Sequence, residues 1–418
     1  MISAPLKTRF QANIGRDGLW AELPARSVLI VPRRNLKDVD RLRTVCLLPW
    51  RDGAAVAARF PKCAFHAIRD AALGARGSNF PRRLGLFLTD RCNFACPMCA
   101  VSDIRREGLA RGGELAFEIV ERALSECSRH QAVVDLLGGE PLLYSRIRDV
   151  LQLVAERRAV AALTTNGLKL EAFAEDVVAS RLPILQVSLD GWDDDSQAAR
   201  GGVRGSLERL QAGVRAVMRA KRARRFPVVR ILTAITRNNY DSLDRIHEVV
   251  AAMGVRSWGI ANYFYLNAPA QRAHLAFALR HGLPGAATAH SIEAETYLAP
   301  EQVMELKASL ERVRRRNRRC GIRIAYAWDI DLDAYYSPQQ ASRGLLCELP
   351  YSRLDIHTDG GMAVCVSGKR IGTVGAQTIA QAWSGLALSD YRRLYERARP
   401  MPLCFRCCGL SQTIRFGN

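Results

Sequence analysis

The sequence lacks any apolar run approaching the roughly 18 residues that span a bilayer. Its opening stretch, "MISAPLKTRFQANIG", has no apolar core of a signal peptide, and "SVLIVP" is too short to supply one. A soluble cytoplasmic protein with no membrane partner is therefore expected. Disulfides seldom persist in that compartment, so clustered members of its 12 cysteines point to metal or redox chemistry. Cys46, Cys63, Cys127 and Cys320 stand apart from any cluster and read as small buried hydrophobes. Internal repeats and low-complexity tracts are also absent, which leaves one large domain with an appendage, or two domains.

Acidic residues are scarce relative to basic ones, 41 against 61, giving a net charge of +20. Such an excess attracts anions: nucleic acid, phosphorylated metabolites or an acidic peptide. It is densest in "RAKRARRFPVVR" (219–230) and "ERVRRRNRRCGIR" (311–323). Few aromatics lie near either run, so base stacking is disfavoured and solvated helix faces are the plainer reading.

From "RLGLFLTD" (83–90) onward, strand and helix signals alternate. The strands are "RLGLFLTD", "AVVDLLG", "VAALTTNG", "ILQVSLDG", "VVRILTAIT" and "SWGIANYF". Between them lie amphipathic helices such as "LAFEIVERALSEC" and "SLERLQAGVRAVMRAKR". Six strands alternating with helices imply a parallel α/β sheet, open or closed into a partial barrel. Polar and glycine-rich motifs end these strands: the cysteines of "RCNFACPMCA", then "GGEP", "TTNG" and "SLDG". The carboxyl ends of parallel strands are where ligands bind, so the four motifs should share one mouth. A helix over 300–319 and a short strand in "IRIAYAW" follow.

Cys92, Cys96 and Cys99 form a Cys-x3-Cys-x2-Cys group, one ligand short of a closed four-thiolate site. Alone it would suit a zinc site completed from elsewhere as well as an iron–sulfur cluster with one open iron. With "GGEP", "TTNG" and "SLDG" following in order, however, residues 83–265 resemble the radical S-adenosylmethionine (AdoMet) superfamily. The resemblance implies a partial (β/α)6 TIM-like barrel, and a four-iron cluster on Cys92, Cys96 and Cys99 with Phe94 beside it. AdoMet would chelate the open iron and be cleaved reductively to a 5′-deoxyadenosyl radical that takes a substrate hydrogen. Gly138, Gly139 and Glu140 would then meet the methionine amino group. Thr165, Asn166, Ser188 and Asp190 would lie near the ribose and carboxylate.

A second cysteine set, Cys347, Cys365, Cys404, Cys407 and Cys408, occupies the C-terminal region. Its order resembles the SPASM and twitch extensions of the superfamily, but only five of a full SPASM domain's seven cysteines are present. One auxiliary four-iron cluster on Cys347, Cys365, Cys404 and Cys407 is implied, closed by thiolates and suited to electron transfer. The expected cofactors are thus AdoMet and two [4Fe-4S] clusters. Cys408 reads as a bystander, with a swapped ligand or hydrogen donor as alternatives. The expected organisation is an N-terminal extension (1–80), the barrel (81–270), a linking segment (271–340) and the auxiliary domain (341–418).

General-base candidates are few. Asp329 and Asp331 precede the auxiliary region, and Asn262, Tyr263 and Tyr265 follow the last barrel strand. His357 reads as structural, before the "TDGG" turn. The resemblance implies an external one-electron donor such as flavodoxin or ferredoxin. Residues 1–80 show no strand–strand–helix signature of a leader-binding module, which favours oxidation of a polar or anionic small molecule in natural-product biosynthesis. A peptide maturase that oxidises, cross-links or epimerises its substrate is the alternative, and a nucleotide- or tRNA-modifying enzyme is disfavoured.

Overall fold

The computed structural model describes the backbone of residues 12–15, 18–23 and 27–32. It also describes residues 59–63, 65–66, 78–99, 113–262, 267–283, 296–326, 328, 330–337, 347–365, 368–404 and 407. The chain divides into two units, Met1–Arg76 and Gly77–Asn418.

In the first unit, β1 (Ala12–Gly15), β2 (Gly18–Leu23) and β3 (Ser27–Pro32) form an antiparallel meander. The apolar run Val28–Val31 lies within β3, where it pairs with β2. Nothing in the sequence motifs announced this sheet.

In the second unit the alternating pattern becomes β4 (Arg83–Phe87), β5 (Val133–Leu137), β6 (Val160–Thr165), β7 (Ile184–Ser188), β8 (Val228–Ile235) and β9 (Ser257–Asn262). Each pairs in parallel with the next. Their outward residues, among them Leu84, Leu86, Val134, Leu136, Leu163, Leu185, Val187 and Ile231, are fully buried in the apolar core. Side chains of this size each contribute about 1.5–3 kcal/mol on full burial.

Amphipathic helices follow the strands: α1 (Phe117–His130), α2 (Ile147–Glu156), α3 (Ala174–Ala179), α4 (Asp194–Ala199), α5 (Ser206–Lys221) and α6 (Leu243–Ala252). The inward residues are more polar, with Arg83, Asp135, Thr164, Gln186 and Arg230 among them. Alternation of this kind is what an open barrel with a lumen requires, because a flat parallel sheet buries both faces in apolar side chains.

Beyond β9 come α7 (Ala268–Arg280), α8 (Pro300–Cys320), β10 (Arg323–Ala325), α9 (Leu332–Tyr336) and α10 (Leu349–Ser352). The short strand β10 adds in parallel to β9. The arginines from 312 to 319 lie on the exposed side of α8, where Arg312, Arg315 and Arg316 pair with Asp244, Glu311 and Glu248. They are a solvated, ion-paired helix face.

The auxiliary region does not stand apart. Its first strand, β11 (Arg353–Ile356), pairs in parallel with β4, and β12 (Gly361–Val364) and β13 (Lys369–Thr373) continue antiparallel. One ten-stranded sheet thus runs β10-β9-β8-β7-β6-β5-β4-β11-β12-β13, with no hydrogen-bonded closure among the described residues. Two further helices, α11 (Ile379–Ser384) and α12 (Leu386–Ala398), pack on this extension. The backbone N–H of Ile379 donates to Glu126 of α1, and Trp383 Nε1 donates to Ser78 O at 2.8 Å. Among the described residues no helix is long and apolar enough to cross a membrane.

His357 sits in the β11–β12 turn, stacked on Phe87 at 4.9 Å between ring centroids. Burial pushes its pKa below the ordinary histidine value, and burial does the same to His274 on α7. The unfolded chain therefore binds protons that the folded chain refuses. Unfolding free energy should fall as pH drops from about 7 through the ordinary histidine range near 6.5. Chemical denaturation of the metal-free protein across that window checks this, and His357→Phe should flatten the slope.

Candidate active site

The loop after β4 carries the three cysteines and is tied down at several points. Before them, Gly139 N donates to Thr89 O at 2.7 Å and Glu140 N donates to Arg91 O at 2.8 Å. This draws the "GGEP" loop against the backbone leading into the cysteines. A Cβ on Gly138 would lie 2.6 Å from Thr89 O, and one on Gly139 would lie 2.3 Å from Arg91 O. The glycine pair, read from the sequence as room for a ligand, is thus required by this approach of the chain to itself.

Glu140 is 1 % exposed, and its carboxylate accepts three hydrogen bonds within the protein. It accepts from Leu142 N at 3.1 Å, from Thr165 Oγ1 at 2.7 Å and from Asn166 N at 2.7 Å. Burial raises its pKa, and these hydrogen bonds together with the charge of Arg200 act in the opposite direction. Glu140 therefore joins the β5 loop to the end of β6. Thr165 Oγ1 also accepts from Gly167 N, and Asn166 Nδ2 donates to Asn93 Oδ1 at 2.7 Å. That last bond fixes the cysteine loop to "TTNG".

The β7 side supplies a second clamp. Asp190 Oδ1 accepts from Ala234 N at 2.8 Å, while Oδ2 lies 2.6 Å from Arg200 Nε in a buried ion pair. Arg200 Nη1 donates to Ser188 O at 2.9 Å, and the guanidinium lies 5.6 Å from the Phe94 ring centroid. Burial alone would lower the Arg200 pKa, but Asp190 and the three thiols beyond it hold it above its ordinary value. Next to it, Gly201 O accepts from Ala95 N at 2.8 Å, and a Cβ on Gly201 would lie 2.2 Å from Ala95 O. Gly202 packs against Phe94, which is 3 % exposed. Sequence reading passed over Arg200 and Asn93; the "RGG" stretch after α4 was the available signal.

Cys96 is buried and Cys92 and Cys99 are half-buried. Burial pushes the Cys96 thiol up to about 11 although Arg200 opposes the shift, and Cys92 and Cys99 are close enough to add to it. Among the described residues no three Cys, His, Asp or Glu side chains converge as ligands of one ion would. The trio, beside a buried cation that offsets thiolate charge, fits an iron–sulfur cluster. A small, open cleft lies beside it between Pro97, Met98, Asp190, Arg200, Thr236 and Asn238.

In the auxiliary region, Cys347, Cys404 and Cys407 are buried and Cys365 is half-buried at the end of β12. Tyr395 on α12 accepts from Cys347 N at 2.8 Å and feels the charge of both Cys347 and Cys404. Cys404 is pushed up to about 12 by burial, with Cys365 adding to the shift. Cys347 and Cys404 thus lie near Tyr395, with Cys365 near Cys404, and Cys407 follows Cys404 in a turn closed by Cys407 N to Cys404 O at 3.4 Å.

The described remaining candidates, Asp331 and Asn262, each have a partner within the protein. Asp331 caps α9, its Oδ1 accepting from Ala334 N at 3.0 Å. Asn262 is buried, and its Oδ1 accepts from Tyr326 Oη at 3.3 Å. Tyr263, Tyr265, Asp329, Cys408 and Cys46 lie outside the described residues. Cys127 is fully buried in the core and Cys320 lies half-buried at the end of α8.

Glu140→Ala would leave three buried donors without an acceptor, each costing about 1–3 kcal/mol. Arg200→Ala would strand a buried carboxylate, at about 3–5 kcal/mol. Urea unfolding of the metal-free variants should show losses of this size, and losses under about 1 kcal/mol would remove the bracing role.

Comparison with known proteins agrees with this geometry. The radical SAM superfamily model matches residues 86–250, and the iron-sulfur cluster-binding SPASM domain model matches residues 347–408. The chain is 33 % identical over 140 residues to a GTP 3′,8-cyclase of Rhodopirellula baltica, covering 32 % of this chain and 39 % of that protein. It is 38 % identical over 117 residues to a probable GTP 3′,8-cyclase of Halobacterium salinarum, covering 27 % and 32 %. The chain thus matches only about a third to two fifths of these relatives' lengths.

Among solved structures, Streptococcus suis SuiB bound to its precursor peptide SuiA superposes with a TM-score of 0.57 at 13 % identity, covering 96 % of this chain and 93 % of that one. The AdoMet-bound anSMEcpe gives 0.53 at 14 % identity, covering 78 % and 89 %. At such identities the likeness establishes the fold. With both family models matched in order, the chain belongs to the radical S-adenosylmethionine superfamily of AdoMet-dependent iron–sulfur enzymes, in its SPASM-domain branch.

Proposed function

We propose that the protein is a radical AdoMet maturase that oxidatively modifies a peptide, with the C-terminal cysteines holding an auxiliary cluster for electron transfer. The observation that carries the peptide reading is the separate N-terminal unit with its β1–β3 meander. The small-molecule reading rested on the lack of a strand–strand–helix signature in residues 1–80, where the described strands form an antiparallel meander. Likeness over nearly the whole chain to a protein solved with its precursor peptide points the same way. A second reading, oxidation of a small anionic molecule, keeps the support of the +20 charge.

When bound, the open-iron cluster and AdoMet supply one-electron cleavage and hydrogen-atom abstraction. The protein's own part is to hold the parts still and dry. Cys92, Cys96 and Cys99 would be the cluster ligands. Phe94 and Met98, both buried, exclude water beside them. Arg200, kept charged by Asp190, offsets the negative charge that three thiolates bring. The same guanidinium borders the cleft, where it can receive the carboxylate of AdoMet. Glu140 and Asn166 keep the loop carrying the thiols in register with the strand ends. An external donor such as flavodoxin or ferredoxin would supply the electron.

Replacing Cys92, Cys96 and Cys99 together by Ala should abolish 5′-deoxyadenosine release while about four irons per chain remain on the other set. Iron analysis and chromatography of anaerobic reactions check this, and complete loss of iron would remove the two-cluster assignment. Cys347→Ala should retain AdoMet cleavage and impair substrate turnover. With AdoMet, reductant and mixed pools of peptides and small acids, the reading expects a peptide that loses two hydrogens by mass spectrometry. A small acid that loses them while every peptide stays intact would establish the second reading.

A further inference from the structure

The strands leave a charge imbalance inside the barrel. Residues paired in register point to the same side of a sheet, so Asp355, Gly85 and Asp135 share the inner face. Thr164, Gln186 and Arg230 share that face further around. From β4 to β9 and on β11, the charged inward residues are Arg83, Arg230, Arg353, Asp135 and Asp355. Three guanidinium groups therefore meet two carboxylates. Arg83 and Arg353 both pair with Asp135, and Arg353 also reaches Asp355 at 2.9 Å. Arg323, on the open edge strand β10, is exposed to solvent.

Arg230 is the cation left over. It is 7 % exposed, and its Nε is buried with no hydrogen-bond partner. Among the described residues it makes no ion pair. Burial, with the like charge of Arg83, lowers its pKa to about 10, so it stays charged at neutral pH. Its guanidinium lies over Gly259, where a Cβ would come within 2.6 Å of Nη2. A glycine on β9 thus makes the room this arginine occupies. Burying an unpaired charge is costly unless a partner arrives, and a guanidinium is shaped for carboxylate or phosphate. One surplus positive charge matches a monoanion, which favours carboxylate over a phosphate dianion. Arg230 lies four residues below Ala234, whose N–H holds Asp190 at the mouth, or roughly 13 Å along the strand.

We propose that Arg230 is a substrate-binding residue that receives a carboxylate inside the barrel, either an acidic side chain or a chain-terminal carboxylate. This rests on the reading that substrate enters the barrel, and it holds for a peptide or for a small acid. Calorimetric titration of the reconstituted full-length protein tests it without requiring turnover. The probes are N-acetylglutamate methylamide, N-acetylalanine, the neutral N-acetylglutamine methylamide and inorganic phosphate.

A carboxylate probe should bind roughly 10- to 100-fold more tightly than the neutral amide, the range for a hydrogen bond to a charged group. Preference between the first two probes identifies side chain or terminus. Arg230→Gln should abolish the discrimination and Arg230→Lys should retain part of it. Gly259→Ala, which crowds the guanidinium without removing its charge, should weaken carboxylate binding and carries the test if Arg230→Gln fails to fold. Equal binding of acid and amide, discrimination that survives Arg230→Gln, or preference for phosphate would overturn the proposal. Absence of a peptide product with carboxylate discrimination intact would remove the peptide reading alone.

Discussion

A buried carboxylate holds the mouth of this barrel together. Glu140 ends one strand's loop and satisfies three donors, two of them on the next strand's loop, in a place water does not reach. From there Asn166 reaches Asn93 in the cysteine loop, while Gly201 grips Ala95 from the other side. Three thiols on a short irregular loop would otherwise sample many arrangements. A cluster with one open position needs them fixed, since the loop has no fourth ligand of its own to complete the set. Rigidity is therefore supplied by hydrogen bonds and close backbone contacts, with glycines at 138, 139 and 201 where any side chain would collide.

The same economy governs charge. Arg200 is buried, paired with Asp190 and turned toward the thiols, so one cation balances a carboxylate and faces a set of developing negative charges. Deeper in the barrel the balance is left incomplete at Arg230. Arg83 and Arg353 pair with the buried Asp135, whereas Arg230 lies unpaired against Gly259, as the proposed carboxylate site requires.

Much of this was legible in the sequence. Strand ends carrying "GGEP", "TTNG" and "SLDG" mark the mouth because strand periodicity and turn residues are local signals. Cys92, Cys96 and Cys99 declare themselves by spacing. What stayed hidden depends on pairing between distant segments. That β11 would join β4 is a register choice between residues about 270 apart, and nothing near either strand encodes it. Arg200 looked like one more arginine in a basic chain until Asp190 was found against it. The charge of Glu140 is plain in the sequence, but the three donors its carboxylate accepts from are not. The meander of β1 to β3 rests on short strands whose partners are each other, with no motif to flag them.

The central claim is that the two cysteine sets differ in kind, one open to AdoMet and one closed. Electron paramagnetic resonance of the reduced, iron-reconstituted protein, recorded before and after adding AdoMet, tests this directly. Two cluster signals are expected, of which one shifts on AdoMet addition and is lost when Cys92, Cys96 and Cys99 are replaced, while the other stays unchanged. A spectrum that AdoMet leaves untouched, or one in which both signals shift together, would contradict it.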